Sequence, residues 1–104
     1  YNRAVPAVIK NAIDVGSRPY GHSAWSKKPT AIISVSPGAI GGFGANHQLR
    51  QSLVFLDMPT LQQPEAYFGG VTSAFDEHGN IVEKSKEFLS HFINTYADWV
   101  AKLS

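Results

Sequence analysis

Residues 30–44 read Thr-Ala-Ile-Ile-Ser-Val-Ser-Pro-Gly-Ala-Ile-Gly-Gly-Phe-Gly, and this stretch decides the fold. Its first part, Thr30 to Ser36, is short, largely apolar and rich in β-branched residues without strict alternation, which is typical of a buried parallel strand. The glycine-rich part that follows predicts a tight turn. A helix to about Asp57 is predicted next, because leucines recur at helical spacing in residues 49–56.

The segments on either side of this strand–turn–helix unit alternate in the same way. A helical stripe of apolar residues covers Val5 to Ile13, and Met58 to Gln63 is a weak second strand. Residues 64–82 are predicted to form a loop with a turn at 78–80. The last segment, Glu83 to Leu103, carries the clearest amphipathic helix. Helices that alternate with strands predict an α/β domain with a parallel sheet.

Two strands and three helices do not make a complete α/β sandwich. A parallel sheet is covered by helices on both faces, and two strands offer too little surface to bury three helical stripes. Apolar surface left open to water costs about 25 cal/mol per Å². We therefore expect residues 1–104 to be one part of a single domain whose other strands lie outside this sequence.

Composition narrows the function classes. The sequence has 104 residues and a formal net charge of +1, with no cluster of lysine and arginine, so no nucleic-acid partner is predicted. It has no run of about 18 apolar residues, so no membrane span is predicted. Cysteine is absent, which excludes disulfides, thiolate metal sites and cysteine nucleophiles and fits a reducing cytoplasm.

The loop from Ser36 to Gly42 is the strongest candidate for a ligand site. Ligands of open α/β sheets bind beyond the carboxyl ends of the strands, and glycines there let backbone N–H groups approach a ligand near a helix N-terminus. The glycine spacing fits neither the Walker loop nor the dinucleotide-binding fingerprint, and Ser36 does not stand in a nucleophile elbow. Spacing alone leaves a ligand loop and a plain tight turn equally open.

No catalytic acid–base pair, nucleophile or metal cluster stands out. None of the four histidines pairs with another at ligand spacing. Residues 76–87 follow a calcium-loop pattern only in part, because Ile81 stands where that loop needs glycine, and we interpret the stretch as a polar hairpin turn. The two tryptophans, Trp25 and Trp99, are predicted to pack rather than to bind a cofactor.

Residues 1–14, Tyr-Asn-Arg-Ala-Val-Pro-Ala-Val-Ile-Lys-Asn-Ala-Ile-Asp, are similar to a family signature. That signature, Pro-Glu-Tyr-Asn-x-Ser-x-Pro-x-x-Leu-Lys-Asn-Ala-Ile-Asp-Trp, belongs to the NADPH-dependent FMN reductases, which include quinone, azo-dye and chromate reductases. Residues 34–42, Ser-Val-Ser-Pro-Gly-Ala-Ile-Gly-Gly, resemble the second flavin loop of that family. Residues 48–57 resemble its next helix, and Pro64-Glu65 its later turn.

The resemblance implies a flavodoxin-like three-layer sandwich with a five-stranded parallel sheet. This chain would supply the last two strands and the last three helices, so that residues 1–104 form the C-terminal portion of one flavin reductase domain. The implied activity is an NAD(P)H-dependent oxidoreductase in which FMN passes electrons to a quinone, an azo compound, a metal oxyanion or free flavin. The family also implies a homodimer or homotetramer in the cytoplasm.

The resemblance places the cofactor site at two segments of the chain. Tyr1 and Asn2 would lie beside the isoalloxazine ring, and Arg3 at the mouth of the site, within reach of the pyridine nucleotide. The other edge of the ring would be lined by Ser34, Ser36, Pro37 and Gly38. No catalytic side chain and no metal are expected, because the flavin carries the chemistry.

Some positions depart from the family pattern, and two other functions stay open. Ala4 stands where the family usually has a helix-capping Ser, so we expect a helix cap weakened by about 1 kcal/mol. Val15 stands where the family has Trp. Gly44 and His47 replace an Arg and a Tyr that are common in some members, which puts the oligomer contacts of those members in doubt here. One alternative is a flavodoxin-like electron carrier without NAD(P)H activity, and the other is a truncated chain that binds no flavin.

Overall fold

The computed structural model describes residues 1–104 and contains three helices and a small parallel sheet. In chain order the elements are α1 (Ala7–Gly16), β1 (Ser34–Val35), α2 (Phe43–Phe55), β2 (Tyr67–Phe68), a short 3-10 helix (Val71–Ala74) and α3 (Glu83–Leu103). The three predicted helices are confirmed, and α3 has the predicted bounds. α2 ends slightly before Asp57, which adopts a left-handed conformation (φ 58°) that is typical of a helix end.

β1 and β2 pair in parallel, in the register Ser34–Tyr67 and Val35–Phe68. The Ser36 N–H extends this ladder by donating to the carbonyl of Phe68 at 2.9 Å. The predicted α/β arrangement with a parallel sheet is therefore confirmed.

The first strand is shorter than the predicted Thr30–Ser36. Only β1 is regular, while Thr30 forms a separate parallel bridge with Thr60. Between this bridge and the β1–β2 ladder, residues 31–33 face residues 61–66. The longer side has to bulge, so the two segments cannot form one continuous ladder.

The second strand was predicted in the wrong place. Met58–Gln63 supplies only the bridge at Thr60, and β2 lies within residues 64–82, which were predicted to be a loop. β2 has only two residues, followed by Gly69-Gly70, so it has no alternation long enough to indicate a strand. It forms because β1 offers a partner, and that partner is distant in the sequence.

The buried apolar residues come from the two strand segments, α2 and α3, and they are Ile32, Leu53, Leu61, Ala66 and Phe92. The apolar stripe of α3 packs against the segments that precede the strands. There the Tyr96 hydroxyl donates to the carbonyl of Pro29 at 3.1 Å, and the Trp99 indole N–H donates to the carbonyl of Pro59 at 3.0 Å. These two bonds fix α3 against both strand segments.

Trp25 anchors the end of α1. Its indole N–H donates to the carbonyl of Ile13 at 3.1 Å, and a Cβ at Gly16 would lie 2.5 Å from the indole nitrogen. Gly16 therefore allows the ring to pack directly on the helix backbone. Both tryptophans are packing residues, as predicted.

Residues 76–80 form the predicted hairpin turn. The Asp76 carboxylate accepts the N–H groups of His78 at 2.8 Å and Asn80 at 2.9 Å. Phe75 and Ile81 pair in antiparallel fashion on either side. The carboxylate thus closes the turn that leads into α3.

The chain forms a flat slab of 49 × 33 × 20 Å with much of its apolar surface open. Its accessible surface of 7285 Å² compares with about 5,700 Å² for a folded monomer of 11.3 kDa. α1 has no buried residue, and Ile33 and Val35 of the first strand segment are exposed. None of the three helices is long and apolar enough to cross a membrane.

Candidate functional site

An open cleft of about 800 Å³ runs along β1 and the loop that follows it. One wall is the segment before α1, residues 1–5, and the other is the loop at residues 36–42 with the start of α2. Six of the predicted cofactor residues line the cleft: Tyr1, Asn2, Arg3, Ser34, Ser36 and Gly38. Pro37, exposed in the same loop, is not among the lining residues.

The loop at residues 36–42 is held by hydrogen bonds within the chain, and several of its backbone N–H groups have no acceptor in the chain. The Ser36 hydroxyl accepts the Gly38 N–H at 3.0 Å, and the Gly38 carbonyl accepts the Gly70 N–H at 2.8 Å. The backbone N–H groups of residues 39–42 donate to no protein acceptor. Ala39, Ile40 and Gly42 line the cleft beside the N-terminus of α2, so their amides can bind a ligand with acceptor atoms along one edge.

Two glycines allow the loop to turn directly into α2. Gly41 and Gly42 have positive φ values of 66° and 73°, and Gly42 is the N-cap residue of the helix. A Cβ at Gly41 would lie 2.8 Å from the Gly69 nitrogen, and one at Gly42 would lie 2.8 Å from the Ser34 Cβ. Any side chain at either position would push the loop away from the strands.

A chain of hydrogen bonds supports this loop from α2. The Ser34 hydroxyl donates to the carbonyl of Gly41 at 2.7 Å and accepts from the Asn46 side-chain amide at 3.2 Å. The Asn46 carbonyl oxygen in turn accepts from Nε of Arg50 at 3.1 Å, and Arg50 also donates to the carbonyl of Leu61 at 3.2 Å. Sequence reasoning missed Asn46, although a polar residue on the leucine-lined face of a helix was the available signal.

The segment that carries Tyr1, Asn2 and Arg3 is a tight left-handed turn. Asn2 and Arg3 have φ values of 55° and 62°, and the Ala4 N–H donates to the carbonyl of Tyr1 at 3.1 Å. Two consecutive positive φ values define a type I′ turn. Ala4 belongs to this turn, and the N-cap of α1 is Pro6. The expectation that Ala4 weakens the helix cap was therefore wrong.

The electrostatics of the cleft are simple. Arg3 is the one charged side chain among the residues that line it, and twelve of the lining residues are hydrophobic. The hydroxyls of the two lining serines, Ser34 and Ser36, are engaged within the chain. The arrangement suits a flat, largely apolar ligand with a polar edge and an anionic part near Arg3.

Three aromatic side chains lie beside the cleft at the start of α2. Phe43 and His47 are stacked with ring centroids 4.3 Å apart, and the Tyr67 hydroxyl lies 2.6 Å from Nε2 of His47. Partial burial raises the pKa of Tyr67, the carboxylate of Glu65 raises it further, and the positive charge of Arg50 opposes the shift. Through its contact with His47, the Tyr67 hydroxyl joins β2 to α2.

Comparison with known proteins identifies the family. The family model described as NADPH-dependent FMN reductase matches residues 1–73. The chain belongs to the NADPH-dependent FMN reductase family. The resemblance seen in the opening residues and in the loop at residues 34–42 is thereby confirmed.

Curated relatives in this reductase family carry reductase names. A quinone reductase from Pseudomonas putida KT2440 is 66% identical over 100 residues, which cover 96% of this chain and 54% of the relative. A 2-hydroxy-1,4-benzoquinone reductase from a Burkholderia species is 46% identical over 101 residues, which cover 96% of this chain and 55% of the relative. The chain spans about half the length of the curated relatives that it matches.

A solved structure in the comparison supports the fold of this chain. FerB from Paracoccus denitrificans, a flavoenzyme NAD(P)H:(acceptor) oxidoreductase, superposes with a TM-score of 0.88 at 40% sequence identity. The match covers 98% of this chain and 57% of FerB. The predicted flavodoxin-like α/β fold is confirmed.

Proposed function

We propose that the protein containing this chain is a flavoenzyme that uses FMN to transfer electrons from NAD(P)H to a quinone or a similar small acceptor. The observation that carries the proposal is the cleft itself. It brings the Tyr1–Ala4 turn and the loop at residues 36–42 to the same end of β1, where α/β folds bind their ligands. The names of the quinone reductase relatives and of FerB support the choice of donor and acceptor.

The residues of the cleft fit an isoalloxazine ring. Its lining is mostly apolar, which suits the flat face of the ring, and the free N–H groups of Ala39, Ile40 and Gly42 suit the polar pyrimidine edge. Gly38 leaves space on the same side, because an added Cβ would contact only the Ser36 hydroxyl, at 3.5 Å. When bound, FMN supplies the hydride and electron chemistry that the protein side chains cannot supply.

The chain's own groups would bind and orient rather than react. Backbone N–H groups of the loop would stabilise negative charge that develops along the edge of the ring. Arg3 would attract the phosphates of the pyridine nucleotide at the open side of the cleft. Ser34 and Ser36 would keep the loop in shape through the bonds that already engage their hydroxyls.

We also propose that residues 1–104 are the C-terminal portion of one flavodoxin-like domain. The excess of accessible surface, about 1,600 Å² over a folded monomer of this mass, supports this, as does the span of about half of each relative. The sheet has only two strands, so the backbone groups on the free edge of β1 would pair with a further strand. We further propose that the whole protein assembles as a homodimer or homotetramer in the cytoplasm.

The test uses the full-length protein. We expect noncovalently bound FMN in its absorbance spectrum and oxidation of NADPH in the presence of 1,4-benzoquinone. Gly38→Val should raise the FMN dissociation constant at least about tenfold, which is about 1.4 kcal/mol, because the new side chain would occupy the cleft.

The matched control is Thr72→Val, at an exposed position outside the cleft, which should leave FMN affinity unchanged. A colourless full-length protein that does not take up added FMN would refute the proposed function. Unchanged affinity in Gly38→Val would refute only the placement of the ring.

A further inference from the structure

The turn at residues 1–4 is strained, and its neighbours have to hold it. Asn2 and Arg3 both lie in the left-handed region, at φ 55° and 62°. Asparagine adopts this region readily, but arginine occupies it only where the surrounding structure compensates. Tyr1 is 96% exposed, so its own side chain makes little contact within the chain. What holds this wall of the cleft must come from another element.

That element is α2, which contacts the turn at two points. A Cβ at Gly44 would lie 2.9 Å from the Arg3 carbonyl oxygen, so the glycine lets the turn rest on the helix backbone. One helical turn further along, the Gln48 side-chain oxygen accepts the Val5 N–H at 2.6 Å. Residues four apart lie on the same face of a helix, so both contacts act on the same side of α2.

The same helix also fixes the opposite wall of the cleft. α2 begins directly after its N-cap residue Gly42, where the loop at residues 36–42 ends, and Asn46 ties the helix to Ser34. One rigid element therefore sets the distance between the two walls. Val5 supplies the last backbone N–H before α1, because Pro6 has none, so no other amide can replace this contact.

We infer that Gln48 is a positioning residue of the flavin site, acting with the space that Gly44 leaves. By accepting the Val5 N–H, it holds the Tyr1–Asn2–Arg3 turn at a fixed distance from the loop that would bind the other edge of the ring. The inference rests on the proposed function, since it concerns the same cleft. It adds a residue that neither lines that cleft nor reacts.

The experiment compares three variants of the full-length protein. Gln48→Met keeps the length of the side chain but removes the acceptor, and Gln48→Glu keeps an acceptor. Gln51→Met is the matched control, on an exposed position of the same helix without a side-chain hydrogen bond. The measurements are the FMN dissociation constant, by fluorescence titration of the apoprotein, and the hydrogen-exchange rate of the Val5 amide.

Gln48→Met should weaken FMN binding about fivefold and speed exchange of the Val5 amide about tenfold, because one net hydrogen bond is lost. Gln48→Glu should keep the FMN dissociation constant and the Val5 exchange rate within about twofold of the wild type, and Gln51→Met should change neither. Wild-type FMN affinity in Gln48→Met, or an equal loss in Gln51→Met, would overturn the inference. A wild-type protein that binds no FMN would instead overturn the proposed function.

Discussion

Asn46 links the Ser34 hydroxyl, which holds the loop at residues 36–42, to Arg50 on α2. Replacing Asn46 is the most direct test of this hydrogen-bond network. Asn46 is 1% exposed, donates to the Ser34 hydroxyl at 3.2 Å and accepts from Arg50 at 3.1 Å. Asn46→Ala removes both bonds. A neutral bond contributes about 1 kcal/mol, and a bond to a charged partner about 1.5–3 kcal/mol, reduced here because Arg50 is partly exposed and can be rehydrated. We expect a loss of about 2–3 kcal/mol in the free energy of unfolding.

The assay is urea unfolding of the full-length protein, with thermal melting as a second measurement. A loss of this size corresponds to a decrease in Tm of about 5–10 °C for a domain of 150–250 residues. Because the Ser34 hydroxyl also holds the carbonyl of Gly41, FMN affinity should fall together with stability. The loop would no longer be fixed to α2.

Two further variants show whether the predicted cause is the right one. Gln51→Ala, on the exposed side of α2, should change stability by less than about 0.5 kcal/mol. In a double-mutant cycle, Asn46→Ala and Ser34→Ala should couple by about 1 kcal/mol, since they share one bond. If the free energy of unfolding of Asn46→Ala lies within about 0.5 kcal/mol of the wild-type value, the network does not support the loop.

Two other predictions concern the open surface and the aromatic contact. Residues 1–104 expressed alone should associate and melt without cooperativity, because Ile33, Val35 and the outer face of α1 are exposed. Size-exclusion and calorimetric measurements check this, and a monomer with a cooperative melt would contradict the proposed half-domain. Tyr67 should ionise above its ordinary value of 10.0, so its stabilising contribution is present below that pH and is lost as the pH rises through the raised pKa. Alkaline ultraviolet titration of the wild type and of Tyr67→Phe checks this, and a tyrosine transition at or below the ordinary value that disappears in the variant would count against it.

The sequence by itself determined the helices, the fold class and the family. A helix is a local structure, since each of its backbone hydrogen bonds joins residues four apart. The apolar stripe of Glu83–Leu103 therefore predicted α3 with its observed bounds. The glycine-rich loop and the opening residues were likewise read from short, contiguous stretches. These stretches also predicted six of the residues that line the cleft.

Only the tertiary structure decided the second strand, the support of the cleft and the turn that forms its other wall. β2 exists because β1 pairs with it across more than thirty residues, and a two-residue strand has no pattern of its own. Asn46 and Gln48 look like ordinary polar helix residues until their partners, Ser34 and Val5, are placed beside them. The left-handed turn at residues 1–4 was equally hidden, because its strain is compensated by a glycine that lies forty residues later in the chain. Contacts of this kind depend on how elements pack, and packing is a property of the folded chain rather than of any local stretch of sequence.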